Sequence, residues 1–315
     1  MFDPYIDSLL IFAGINLIAA FSFYLPFKTG QVSLGQAGFM GVGAYAAGII
    51  TTKLGLPFPL GLAFSAVVAG IVGLIVGFPA LRIKGIYLLL LTLGFGQIVE
   101  VVALTWDYTG AHNGFQGIPL QEYTIYYTYG IIAVAILFFS RLERSSLGRA
   151  MVAIHADEDA AEVMGVDIVR IKLFAFSVGA ALAGMAGCLF AHMTTYVDSL
   201  TFNVLLAVQI LMFVVVGGGT TYWGPVVGTM VLFFLPEFLR TIRDWMELIP
   251  VAWTEGPTLE AAYEWTYEFL DFENEKRWIV YGLILILMMI WRPQGLISRE
   301  LVQRWGRWTT RRENG

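Results

Sequence analysis

Two sets of residues in this chain have types and spacings that could do chemistry. The first is HADEDAAEVMGVDIVRIK, His155 to Lys172, which gathers Asp157, Glu158, Asp159, Glu162, Asp167, Arg170 and Lys172 in a sequence that is 57% hydrophobic and only 14% charged overall. Asp157 is placed to cap a helix whose first turn holds Glu158 and Asp159, where the helix dipole favours acid. Gly165 suits a left-handed stop after Met164. The helix so bounded has about seven residues, short of the ~12–15 that persist alone in water. The rest of the chain or another protein must hold it. The second set consists of polar residues inside or beside long apolar runs: Gln36, Gln97, Glu100 and Gln209. Such groups are costly in lipid, so they either line a route for a polar cargo or pair between helices. Glu100 is the sharpest case, following fifteen residues without a charge.

Other chemistries are not supported. There is no GxxxxGK[ST] phosphate loop, no HExxH and no paired-cysteine site, and His112, His155 and His192 have no ligand spacing between them. The single cysteine, Cys188, lies in an apolar run and reads as a small packing residue. GVGAYA, Gly41 to Ala46, meets a loose GxGxxA pattern, but it sits inside 24 uncharged residues instead of following a strand, so close helix packing is the better account. The chain is expected to bind no metal or cofactor and to hydrolyse nothing.

The elements that position these residues are membrane spans. Asp, Glu, Lys and Arg are absent from 8–27, 29–52, 54–81, 85–99, 123–140, 173–197, 199–236 and 278–291. A span needs about 20 such residues. The run 199–236 holds two, broken at Gly217-Gly218-Gly219 and Tyr222-Trp223-Gly224-Pro225. The expectation is an all-α polytopic bundle of about nine spans, at 5–24, 34–53, 58–80, 86–105, 124–140, 171–192, 202–217, 224–241 and 277–292. The run lengths do not suit the alternating strands of a membrane barrel. Alternating the loops puts 14 of the 19 Lys and Arg residues on one side, which the positive-inside rule makes cytoplasmic, with the N-terminus outside and the C-terminus inside. MFDPY lacks the basic start of a signal peptide, so the first span is expected to be retained. Small residues mark the faces that pack on protein: Gly179, Ala183 and Gly187 beside Ala180, Gly184 and Cys188; Ala69, Gly73 and Gly77; Gly43 with Ala47 and Ala44 with Gly48.

This gives a transmembrane domain over 1–298, with a cytoplasmic segment at 141–172 and an acidic outer excursion at 242–276, followed by a basic tail at 299–315. In the excursion, GPTLEAAYEWTYEFLDF starts a helix at Pro257 with a ridge of Glu260, Glu264 and Glu268, suited to the membrane interface or to a docking protein. The tail combines five arginines with Trp305 and Trp308, the composition of an interfacial anchor to the bilayer and not of a nucleic-acid binder.

DAAEVMG, Asp159 to Gly165, resembles the EAAxxxG loop of ABC importer membrane subunits, with Asp in place of Glu. Six blocks in order extend the likeness: VSLGQAGFMGVGAYAAG (32–48), RIKGIYLLLLTLGFGQI (82–98), TGAHNGFQGIP (109–119), SSLGRAMVAIHADEDAAEVMGVDIVRIKLFAFSVGAALAGMAGCLFA (145–191), VVVGGGTTYWGPVVGT (214–229) and YGLILILMMIWRPQGLI (281–297). Together they resemble the LivM-type permease of branched-chain amino-acid ABC importers. The resemblance implies a helical fold related to the vitamin B12 and ribose permeases. It also implies two cytoplasmic ATP-binding subunits that hold ATP and Mg, a second homologous permease, a periplasmic substrate-binding protein, and residence in the bacterial inner membrane. It makes Asp157, Glu158, Asp159, Ala160, Ala161 and Gly165 the coupling element that meets the ATPase, with Ala160 and Ala161 leaving no bulk at the contact. The loop holding His112 and Asn113 is expected at the outer mouth of the pore, completing a pathway with Gln36, Gln97, Glu100 and Gln209. Two departures bear on the cargo: Gln97 stands where relatives often carry an acid, and His112 where they carry Gly or Ser. Relatives also carry urea, short amides or other carboxylates. The contrasting expectation is a secondary transporter or channel, which would favour ionisable residues within the spans; apart from Glu100 these are nearly absent.

Overall fold

In the computed structural model, residues 4–81, 83, 85–121, 123–247, 276–291 and 295–297 are described. The tail 299–315 and most of the outer excursion, 248–275, lie outside them. The helices are α1 (Pro4–Phe27), α2 (Gln36–Lys53), α3 (Phe58–Ala80), α4 (Ile86–Thr105), α5 (Thr124–Arg144), α6 (Ser146–Ala156), α7 (Glu158–Val163), α8 (Ile168–Thr194), α9 (Val204–Gly217), α10 (Trp223–Glu247) and α11 (Lys276–Trp291). Among the described residues, one two-residue pairing joins the α4–α5 and α8–α9 connections, β1 (Phe115–Gln116) antiparallel to β2 (Tyr196–Val197).

Helix α8 is the hub. Its stripe Gly179, Ala180, Ala183, Gly184, Gly187 and Cys188 is buried throughout. A side chain added at Gly179 would strike the Ser22 carbonyl of α1, at Gly184 the Ser65 carbonyl and Ala69 of α3, and at Gly187 the Met40 carbonyl of α2. Gly43 of α2 meets Gly184 backbone to backbone, and Gly73 of α3 meets Ala180. In lipid, where apolar side chains gain little by meeting one another, such close approach is what holds helices together. It also explains GVGAYA: its glycines are contact points for α8 and for Phe202, not a phosphate cradle. Across the α3–α8 seam, the Ser177 hydroxyl donates to the Gly70 carbonyl at 2.9 Å.

Among the described residues, five helices, α1, α3, α4, α5 and α8, are long and apolar enough to cross a bilayer. The other expected segments also form helices close to the expected ends, but α9 is too short to span. Its 14 residues rise about 21 Å against a hydrocarbon core of about 30 Å. Before it, the chain turns back into the bundle, and Phe202 packs on Phe190 of α8 at 5.8 Å between ring centres and lies beside Gly41 of α2. Asn203 then caps α9, its Oδ1 accepting the Leu206 N–H at 3.1 Å. The break after α9 falls where expected. Gly218 adopts φ +105, and Gly217, Gly224 and Gly228 pack so closely that a Cβ at any of them would enter backbone. Leu296 and Ile297 donate their N–H groups to the Val216 and Gly217 carbonyls, tying the chain after α11 to this turn.

Candidate functional site

The polar island folds into a two-helix unit between α5 and α8. Ser145 is the only residue between α5 and α6, and its Oγ caps α6 by accepting the Gly148 N–H at 3.1 Å. Gly148 lies against the Leu142 carbonyl so closely that no Cβ would fit, which fixes the angle between the two helices. At the far end of α6, His155 Nδ1 lies 3.0 Å from the Phe27 carbonyl oxygen; since a carbonyl only accepts, this nitrogen carries the proton.

Helix α7 is bounded as the residues predict. Asp157 Oδ1 accepts the Ala160 N–H at 3.0 Å. Gly165, at φ +80, closes a Schellman motif in which Gly165 N donates to Glu162 O and Val166 N to Ala161 O. Six residues cannot stand alone. Lys172 of α8 supplies the hold, its Nζ 2.9 Å from Glu158 Oε2. Asp157, Asp159, Ala160, Glu162 and Gly165 are exposed, and with them Val163 and Met164, at 88% and 83%. Ala161 departs from the expectation that both alanines face a partner: it is buried, because a six-residue helix resting on its own bundle turns one position per turn inward.

The six pathway candidates do not form one cluster. Gln36 is buried at the start of α2, where its Nε2 donates to the Ser22 carbonyl at 3.3 Å and its Oε1 accepts from Ser33 Oγ at 3.1 Å. Its contacts are those of interhelical pairing. Gln97 is exposed on α4 and donates to Glu100 Oε2 at 3.0 Å. Gln97 also lines a small open cleft with Leu93 of α4, Ala37 of α2, and Asn203, Val204 and Ala207 at the head of α9. Gln209 is half-buried two residues beyond Ala207. His112 and Asn113 are exposed in a single 3-10 turn of the loop between α4 and α5 and do not line the cleft. That loop is pinned by Lys53, whose Nζ sits 3.2 Å from the Tyr108 ring centre and donates to the Tyr108 carbonyl.

One polar centre escaped sequence reasoning. Glu143, near the end of α5, accepts three hydrogen bonds on Oε1: from Tyr24 Oη at 2.6 Å, Lys28 Nζ at 2.9 Å and the Tyr222 N–H at 3.0 Å. Lys28 is 4% exposed and ion-pairs with this carboxylate, which offsets part of the cost of burying the amine. The signal available was a lone cation ending the first apolar run, with no acid near it in sequence.

The family described as branched-chain amino acid transport system / permease component matches residues 5–290. The chain belongs to this family. It is similar to the high-affinity branched-chain amino acid transport system permease proteins LivM of Salmonella typhimurium and Escherichia coli, each 30% identical over 90% of this permease and 66% of the relative. The permease thus spans just under two thirds of their length. A probable branched-chain amino acid transport permease protein LivM of Methanocaldococcus jannaschii is 22% identical over 94% of both chains. No solved structure matches.

Proposed function

We propose that this permease is the membrane subunit of an ABC importer that carries branched-chain or related small amino acids inward by alternating access. Two cytoplasmic ATPase subunits drive it, a second homologous permease completes the pore and a periplasmic binding protein delivers cargo. On this reading the N-terminus is outside, the C-terminus is cytoplasmic, and α7 lies on the inner face. The chain itself is a transport subunit and not an enzyme, with ATP and Mg held by the partners.

The observation that carries the reading is α7 itself. It is a short rod capped at both ends and ion-paired to a span, and it presents the adjoining apolar pair Val163 and Met164 to water beside Asp159 and Glu162. An apolar tip with an acidic rim fits a groove with an apolar floor and basic edges, and methionine adapts to such a floor. The test is Ala160→Trp, which adds bulk at an exposed position and leaves Ala161 undisturbed. Co-purification of the ATPase subunit is expected to drop about tenfold, the scale of blocking one buried anchor at an interface. Full retention of the ATPase subunit and of leucine uptake in proteoliposomes sinks the reading.

A further inference from the structure

Helix α6 is bracketed by the parts that build the Glu143 centre. Its first turn follows Glu143 after Arg144 and Ser145, and its last turn bonds through His155 to Phe27, the residue before Lys28. The centre's third donor, Tyr222, ends the turn between α9 and α10. The end of α9 that leads into this turn carries the Val216 and Gly217 carbonyls that hold Leu296 and Ile297. Next to Tyr222, Thr221 is buried with its hydroxyl unpaired among the described residues, a cost that a different setting of the turn would relieve. Tyr24 is set by its edge-on contact with Phe139, 5.4 Å between ring centres.

We propose that Glu143 is a positioning residue that transmits movement of the α6–α7 unit to the inner turn at 217–223 and the 295–297 segment, by holding α1, α5 and the start of α10 on one carboxylate oxygen. The proposal rests on the reading of α7 as the ATPase contact. A displacement of α6 shifts Glu143 through a one-residue link and shifts Lys28 through His155, so donors and acceptor move as a set. Lys28 and Glu143 stay together because a buried cation and a carboxylate separate only at high cost, and the Tyr222 N–H, bonded to the same oxygen, follows. Chains of packed, hydrogen-bonded groups with a discrete alternative arrangement are the physical means by which distant sites couple.

The test uses the complete transporter in proteoliposomes with its binding protein and radiolabelled leucine, comparing Glu143→Gln and Tyr24→Phe with the parent. Glu143→Gln keeps an oxygen acceptor and removes the charge; Tyr24→Phe removes one hydroxyl and keeps the ring. The expected result is unchanged ATPase subunit content, with leucine taken up per ATP hydrolysed falling about tenfold in Glu143→Gln and by a smaller factor in Tyr24→Phe, the scale of losing charge-assisted hydrogen bonds. Uptake and hydrolysis falling in proportion, or neither changing, overturns the proposal. If Glu143→Gln does not assemble, Tyr24→Phe decides alone: an unchanged uptake-to-hydrolysis ratio overturns the proposal and a lowered one supports it. The docking reading fails separately, through ATPase retention in Ala160→Trp, which does not depend on this ratio.

Discussion

Lys172, in the first turns of the central helix α8, and Glu158, the first residue of α7, meet at 2.9 Å with side chains only 11% and 27% exposed. This contact joins the exposed element α7 to the helix on which α1, α2 and α3 all pack. A six-residue rod gains its order from that bond and its two caps, since its own backbone ladder is too short to supply it.

Replacing Lys172 with Met keeps the aliphatic stem and removes the charge. A partly shielded pair of this kind contributes about 1–2 kcal/mol, between an exposed and a buried ion pair. Amide hydrogen exchange over 158–166 is therefore expected to speed up by about tenfold, while exchange in the middle of α8 stays unchanged. An unaltered rate at 158–166 would show that the Lys172 pair does not hold the helix.

Gly165→Ala forces a side chain into a φ of +80, where non-glycine residues are strained by roughly 1–2 kcal/mol. Space is not the issue, because nothing lies near its added methyl group. Gly165→Asn, better tolerated in the left-handed region, should recover much of the loss. The readout is ATPase stimulation by the binding protein in the intact complex.

Gly184→Leu and Gly130→Ala make a matched pair. The first drives a side chain into the Ser65 carbonyl and Ala69 of α3, and a loss of about 3 kcal/mol is expected, seen as failure to purify as a monodisperse species. Gly130 in α5 has open space around it, and Ala there should raise thermal stability by about 0.5–1 kcal/mol through helix propensity.

Gln97→Leu addresses the cleft, and Glu100→Gln the carboxylate that accepts from Gln97 beside it. If these polar groups meet cargo and do not hold helices together, each change should lower leucine uptake by about tenfold with the ATPase subunits still bound. The same change at Gln36, Gln36→Leu, breaks two buried hydrogen bonds and should lower the yield of folded protein instead.

The spans were legible because charges end apolar runs: Lys28, Lys53 and Arg141 each sit at or near a helix end. The α7 caps were legible because capping is local chemistry, with Asp157 and Gly165 acting within a few residues of themselves. What the sequence did not disclose depends on contacts distant in the chain. The inward turn of Ala161, the return of 195–203 into the bundle and the placement of α9 all follow from which surfaces meet, and composition does not encode that. Among the pathway candidates, Gln36 and Gln97 are alike in sequence, both amides in or beside apolar stretches. Only the fold separates them, turning one onto a carbonyl of α1 and leaving the other at a cleft.

The span of 115 positions between Lys28 and Glu143 has a consequence for biogenesis. During synthesis the lysine emerges with the first helix, long before its acid exists, and must wait at the lipid headgroups with its amine snorkelled toward water. This ion pair can form only after the fifth helix has left the ribosome, so the permease cannot finish this face helix by helix. Truncated chains ending before Arg141 should leave that amine open to a water-soluble acylating reagent, and chains extended past Gly224 should shield it.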